Sequence, residues 1–131
     1  MSLYDVLVEV KERLATINDV KSVGIGLPKN LSVKNCPFIR VVPTSDTQKH
    51  SLRTIEVHII YGFDIKNKDI ELMYEKMYEM QEVIINTLQY KLKSGDCFFH
   101  SNISDEDRMD NIKTAMSKFS IENIQIWKIS R

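Results

Sequence analysis

The sequence predicts an α+β fold, in which a largely antiparallel sheet of about five strands carries an N-terminal helix and one long central helix. Three observations predict it. Residues 54–63 alternate polar and apolar side chains, which is typical of a strand with one face on a core. A long segment with helical periodicity follows this strand closely. Short polar connections join the other strand-like segments, and nothing demands repeated β–α–β crossovers.

The first helix is predicted over residues 2–17. Its apolar side chains recur every three or four residues, and Ser2 with Asp5 forms a capping-box pattern at the start. A short strand follows in VKSVGIG. Pro37 then opens the strand PFIRVVP and Pro43 closes it. Residues 43–51 are rich in turn formers and predict a polar loop, so that the two strands form an antiparallel hairpin with a long tip.

The central helix is predicted over residues 68–93, with Gly95 placed to terminate it. Its stripe contains three methionines, Met73, Met77 and Met80, beside Tyr74 and Tyr78. Core packing is the favoured interpretation of such a stripe, and an adaptable binding surface is the alternative. A strand follows in DCFFHSNIS. The last strand changes phase at Glu122–Asn123, which indicates a bulge or a short turn.

Length and composition favour a single domain, 1–131, without a strongly charged partner. Lysine plus arginine number 18 and aspartate plus glutamate also number 18, so net charge gives no pull toward nucleic acid or an anionic membrane. Cys36 and Cys97 are too few for a disulfide framework and are expected to be reduced thiols. No signal peptide or membrane span is predicted, and synthesis in a cytoplasm is expected.

Motifs that carry chemistry are not found in the sequence. The segment GIGLPKN has no third glycine and no helix after it, so it does not match a dinucleotide-binding loop. His50, His58 and His100 have no metal-ligand spacing, and the acidic run at 105–110 lacks the pattern of a calcium loop. The sequence therefore predicts no enzyme, no cofactor and no metal site.

The order of elements resembles the tail terminator (tail completion) proteins of long-tailed bacteriophages and the related head–tail joining neck proteins. The resemblance lies in an N-terminal amphipathic helix, the strand PFIRVVP, a polar loop, the strand ending HIIYGFD, the helix DIELMYEKMYEMQEVI and closing strands. It implies a phage or prophage structural protein in the virion tail or neck, assembled in the host cytoplasm. The implied partners are copies of itself in a ring, typically a hexamer, the tail tube protein and the head connector protein. No membrane and no sequence-specific nucleic acid are implied, although DNA can pass through the ring.

The resemblance also implies which residues lie between subunits, because ring contacts in that family involve sheet edges and extended loops. The corresponding positions here are Lys49, Arg53, Asp105, Glu106 and Arg108. Complementary charge between them would set register and specificity.

The polar side of the strand at 52–63 adds two further candidate residues. Glu56 and His58 lie on that side and are expected either between subunits or along the channel of a ring. An alternative role for the whole chain is a small binding or regulatory module that holds a metabolite between its sheet and the Met/Tyr-rich helix.

Overall fold

The computed structural model describes residues 2–29, 31–65, 69–104 and 112–125. Within these ranges the chain forms two α-helices and one five-stranded sheet, which confirms the α+β prediction. In chain order the elements are α1 (Leu3–Leu14), β1 (Ser22–Ile25), β2 (Phe38–Lys49), β3 (Leu52–Asp64), α2 (Ile70–Leu88), β4 (Asp96–Ser104) and β5 (Ile112–Gln125). A short 3-10 turn, Val33–Asn35, interrupts the connection between β1 and β2.

The strands lie in the order β1-β2-β3-β5-β4. Strand β1 runs parallel to β2, and every other neighbouring pair is antiparallel. The sheet is therefore mixed. Strand β5, the last in sequence, lies between β3 and β4 and pairs with both along most of its length.

Both helices pack on the same face of the sheet and share one hydrophobic core with it. Strand β3 contributes alternate residues to that core, as its sequence pattern predicts. Met73 and Met77 of α2 are almost completely buried there, so core packing is the correct interpretation of these two methionines. The residues that are fully inaccessible include Val6, Val10, Leu14, Ile39, Val41, Val57, Ile59, Tyr61, Met77, Ile84, Leu88, Cys97, Ile121 and Ile124.

Helix α1 begins as predicted and ends earlier. Ser2 is the N-cap, and its side chain and that of Asp5 form a reciprocal capping box. The helix ends at Leu14, three residues before the predicted limit. Ile17 still packs against the core, but it does so from the turn that follows. The predicted end of α1 is therefore too late, because the apolar stripe continues past the last residue of the helix.

Helix α2 is also shorter than its apolar stripe. Asp69 caps its start by accepting a hydrogen bond from the backbone N–H of Glu71 at 2.9 Å. At the other end Gln89 is extended, and Tyr90 adopts a left-handed conformation with φ 61°. Tyr90 rather than Gly95 therefore occupies the position that reverses the chain after the helix.

The prediction of a polar loop at 43–51 is wrong, because β2 continues through Pro43 to Lys49. Lys49 pairs with Leu52, so the hairpin has only His50 and Ser51 in its turn, and His50 has φ 59°. Pairing with β3 holds this segment extended although both of its faces are polar. An alternation of apolar residues could not have revealed it, because no core lies beneath it.

Two bulges change the faces of β5 and β4. The predicted phase change at Glu122–Asn123 is confirmed, since the register between β3 and β5 shifts there and Asn123 has φ 57°. A second shift occurs in β4 between Phe99 and Ser101. This bulge moves Ser101 and Ile103 off the side occupied by Cys97, contrary to the simple alternation of the sequence.

Candidate functional site

The face of the sheet opposite the helices, called here the open face, is the most distinctive surface of the molecule. In the described ranges both α-helices pack on the other face, and part of the connection between β1 and β2 lies beside this one. The strand registers place Arg40, Ile60, Met116 and Ile103 in one row across this face. The next row consists of Val42, His58, Lys118 and Ser101. One end of the open face is therefore mainly apolar apart from Arg40, and the middle is polar, with Lys118 as the charged side chain of its row.

The apolar end forms a groove, called here the open-face groove. It has a volume of about 430 Å³. The sheet contributes Phe38, Ile60 and Met116, the connection after β1 contributes Leu27, Pro28 and Leu31, and the far side contains Ile103, Ser104, Ile112, Thr114 and Ala115. Leu27 is 55% exposed and Ile103 is 53% exposed, so apolar side chains also stand at the rim.

Gly62 of β3 gives the groove its shape. A Cβ atom on this residue would lie 2.5 Å from Cε2 and Cζ of the Phe38 ring. The ring of Phe38 therefore rests on the bare backbone of Gly62 and is almost fully buried. Any larger residue at position 62 would displace the ring into the groove.

The polar middle of the open face has His58 at its centre. This side chain is half-buried, and Lys118 faces it from β5. Burial first, and Lys118 second, lower the pKa of His58 below its ordinary value, against the opposite effect of Glu56. Glu56 is exposed and accepts a hydrogen bond from the Ser45 hydroxyl at 3.2 Å.

The hairpin beyond the bulge of β2, residues 44–54, is called here the arm. Side chains from Thr44 to Leu52 are exposed along it. Arg53 forms an ion pair with Asp46 on the side of the arm that faces the helices, whereas Lys49 and Leu52 lie on the open-face side at the tip. Leu52 is 40% exposed, and it is the apolar side chain of an otherwise polar tip.

Parts of β2 and β4 that have no strand beside them are protected against the addition of another strand. On β2, the carbonyl of Val41 accepts the last hydrogen bond from the β1 side, and the next outward residue, Pro43, has no N–H to donate. A bulge follows directly. On β4, the Phe99 N–H donates to Oε1 of Gln89 at 3.0 Å, and the Cys97 carbonyl accepts from the Tyr90 N–H at 3.2 Å. Prolines, bulges and covered backbone groups are the usual protection of sheet edges.

A cluster of buried polar side chains lies on the helix-covered face. The Tyr61 hydroxyl contacts Asn102 Oδ1 at 2.6 Å and Ser117 Oγ at 3.2 Å, and Ser117 donates to the same Asn102 oxygen at 2.9 Å. Burial raises the pKa of Tyr61. These contacts link β3, β5 and β4, and no groove among those described opens onto them.

The two cysteines have the properties of structural thiols. Burial raises the pKa of Cys36 to about 11 and the pKa of Cys97 to about 12, with nearby carboxylates adding to both effects. A thiol is a poor nucleophile unless it is deprotonated. Nucleophilic chemistry at neutral pH is therefore disfavoured at both positions.

The structure brings together only part of the predicted interface. Glu56 and His58 are neighbours on the open face, and Lys49 lies further along the same face at the tip. Arg53 lies on the opposite face, held by Asp46. Asp105, Glu106 and Arg108 lie outside the described residues.

Sequence reasoning missed the open-face groove. The signal was present, because Ile60 and Met116 are large apolar residues at positions where their strands should be polar. Ile103 is a third such residue. Regular alternation along β4 would place it on the core side with Cys97, but the bulge at His100 places it on the open face. Large apolar residues on the side of a strand that faces away from the core indicate a second contact surface.

A scan against protein-family models finds no match, and no curated protein matches the sequence. In the described ranges no helix is long and apolar enough to cross a membrane. The described part of the chain also contains no group of three or more His, Cys, Asp or Glu side chains that could hold a metal ion.

Proposed function

We propose that the chain is a structural assembly protein of the tail terminator type, whose copies form a ring that caps a phage tail tube and joins it to the head connector. The proposal rests on the order of helices and strands, in which the end of the β2–β3 hairpin takes the place of the expected polar loop, together with one structural observation. That observation is the open face, which presents apolar side chains at one end and a polar row that contains Lys118 beside them. Apolar patches of this kind commonly mark contacts with another protein.

The arm provides further support. The β2 side of the arm, Thr44 to Lys49, is polar and exposed on both faces, so it adds little apolar burial to its own subunit, and a contact outside the subunit would give it a role. Ring subunits need two different contact surfaces, because each copy must hold one neighbour ahead and another behind. The open-face groove and the arm tip lie at opposite ends of the sheet and differ in shape.

Charged residues on the open face would contribute specificity. Lys118 lies opposite His58 and is the cation of its row, and Glu56 lies one row nearer the arm. Opposed rows of this kind favour one register between neighbouring copies more than they increase affinity.

One observation favours a second candidate function, a small-molecule binding module. The open-face groove has a volume of about 430 Å³, which falls within the range of roughly 300–1,000 Å³ typical of ligand sites. This site is not the one expected from the sequence, since Met73 and Met77 fill the space under α2.

The test of the proposed function is the assembly state of the purified chain. Light scattering coupled to size exclusion should give a defined oligomer whose mass rises to a plateau with concentration, and negative-stain images should show rings. A monomer that also fails to assemble in the presence of tail tubes would contradict the proposal. A thermal-shift screen addresses the alternative, because a ligand that binds only the native state raises apparent stability.

A further inference from the structure

We propose that assembly through the open face is acid-sensitive, because His58 lies at the centre of that face and must be neutral when another copy covers it. The inference rests on the proposed function and concerns the regulation of the same surface. The contact should form at neutral pH and weaken progressively in acid.

His58 stands at the middle of the sheet in both directions. It belongs to β3, the central strand of the five, with Val42 of β2 on one side and Lys118 of β5 on the other. Its side chain is already half-buried in the single subunit. A contact that covers the middle of the open face would remove the remaining water from this imidazole. Loss of water disfavours the charged form of a histidine.

The cations around His58 also oppose its protonation. Lys118 is directly opposite on β5 and repels a second positive charge. Arg40 is the cation of the neighbouring row on β2, but its guanidinium is held toward β1, where it donates to the carbonyls of Gly26 at 2.6 Å and Ile25 at 3.0 Å. Lys118 is therefore the cation that governs this imidazole.

Glu56 is the carboxylate beside His58, and it does not compensate for these effects. It is exposed and accepts a hydrogen bond from the Ser45 hydroxyl, whereas the His58 ring forms no hydrogen bond within the described part of the chain. Burial first and Lys118 second outweigh Glu56, so the pKa of His58 lies below its ordinary value. Covering the face strengthens burial, the largest of these effects, and makes protonation harder still.

His100 is a second histidine on the same face, and its surroundings are different. Its Nε2 lies 2.6 Å from Oγ of Ser120, which in turn donates to Oε2 of Glu122 at 2.9 Å. Because the one hydroxyl proton of Ser120 is used toward Glu122, its oxygen accepts a hydrogen bond from His100. A positive charge on His100 would therefore be linked through one hydroxyl to a carboxylate. Acid sensitivity is expected from His58 and not from His100.

The sign and size of the effect on assembly follow from proton linkage. Above pH 6.5 His58 is mostly neutral in the free subunit, so assembly should not depend on pH there. Below the pKa of the free subunit, every copy must release a proton from His58 to assemble. Each further fall of one pH unit should then raise the concentration required for assembly by up to about tenfold.

The test is the assembly of the wild-type chain from about pH 7.5 to about pH 5, measured by light scattering, with circular dichroism to verify that the subunits stay folded. The wild type should dissociate below pH 6.5. His58→Gln has no imidazole to protonate and should require the same concentration at every pH. His50→Asn is the matched control, because position 50 is exposed and its φ of 59° suits asparagine, and it should keep the wild-type dependence on pH.

Lys118→Gln is a second variant, which keeps the histidine and removes the cation that faces it. This change should raise the pKa of His58, so dissociation should begin at a higher pH than in the wild type. The variant decides the matter if His58→Gln does not fold. Dissociation that begins at the wild-type pH would show that His58 is not the responsible group.

The outcomes separate the inference from the proposed function. Wild-type assembly that is unchanged from about pH 7.5 to about pH 5 would overturn the inference and leave the proposed ring intact. Acid dissociation of His58→Gln equal to that of the wild type would also overturn it, because another group would be responsible. A wild-type chain that remains monomeric at neutral pH even with tail tubes would contradict the proposed function, and the inference would fall with it.

Discussion

The hydroxyl of Tyr61 in β3 reaches Oδ1 of Asn102 in β4 at 2.6 Å, although β5 lies between the two strands. Ser117 of β5 joins both groups, so one buried cluster spans three strands. Asn102 lies just beyond the bulge in β4. The cluster therefore fixes the register of β4 at the point where its alternation changes.

Tyr61→Phe should destabilise the protein by about 0.5–1.5 kcal/mol, because one hydrogen bond of a buried group is lost while Ser117 still donates to Asn102. Urea denaturation followed by circular dichroism measures the change. Tyr78→Phe, at a position that is 55% exposed, is the matched control and should stay within about 0.5 kcal/mol of the wild type. An equal loss in both variants would contradict a structural role for the cluster.

Glu9→Gln should make the free energy of unfolding depend less on pH in the acid range. The Glu9 carboxylate accepts hydrogen bonds from the backbone N–H groups of Lys93 at 2.6 Å and Ser94 at 3.0 Å. Burial raises the pKa of Glu9, but these hydrogen bonds together with the Ser94 hydroxyl and Arg13 outweigh it, and the net pKa is lowered from 4.5. The stabilisation is thus complete above about pH 4.5 and is lost as the pH falls through the folded pKa. Glu12→Gln, an exposed neighbour on α1, is the control for thermal unfolding measured from pH 7 to pH 3.

The pKa of His58 should respond to its two charged neighbours in opposite directions. Lys118→Gln should raise it, because a like charge is removed, and Glu56→Gln should lower it further. Two-dimensional NMR titration of the imidazole measures both shifts. Since the folded pKa lies below 6.5, this histidine contributes stability above that pH which is lost as the pH falls through the folded pKa. Identical titration curves in both variants would show that Lys118 does not face His58.

Cys36 and Cys97 should resist alkylation in the native state. Burial holds their pKa values at about 11 and about 12, so little thiolate exists at pH 8. Mass spectrometry after iodoacetamide treatment should show no label on the folded chain and two labels in urea. Ile70→Cys, at an exposed position of α2, should label rapidly under native conditions and serves as the control. Rapid labelling of either native cysteine would contradict its placement in the interior.

Gly62→Ala should push the Phe38 ring out of its place and partly fill the open-face groove, because the added Cβ would overlap the ring. Overpacking of this kind typically costs about 1–3 kcal/mol. Gly62→Ala combined with Phe38→Leu should recover part of the loss, since the smaller side chain relieves the overlap. Chemical denaturation of the single and double variants measures this coupling, and purely additive effects would contradict the contact.

Sequence periodicity predicted those elements that have one face on the core. Ile55, Val57 and Ile59 show why β3 was evident, because a buried and a solvated face impose period two. The residues of the arm predict a loop because Thr44 to Lys49 are polar and exposed on both faces, and pairing with β3 alone keeps them extended. Helix ends were also misplaced. Ile17 and Leu92 continue the apolar stripes of their helices, yet they pack on the core from the turns beyond them.

The candidate surface was less predictable than the fold. Glu56 and His58 could be assigned to a shared face, since two residues apart in a strand point the same way. The same alternation places Arg53 on the opposite face, with Ile55, but its pairing with Asp46 could not be foreseen, because it depends on a strand that the sequence does not predict. The groove could be predicted only by someone who knew of the bulge in β4, which turns Ile103 to the open face. The residue types around His100 do not distinguish a bulge from regular alternation.

The position of β5 determines when the sheet can be completed during synthesis. Strand β5 pairs with β4 on one side and with β3 on the other. Neither of these pairings can be complete until the ribosome has made residues up to Gln125. Until then the nascent chain can form only α1, the β1–β2–β3 part of the sheet and α2, with the apolar inner side of β3 incompletely covered. Such a chain exposes strand surface that invites aggregation. Folding of this protein should accordingly be late and depend on long-range contacts.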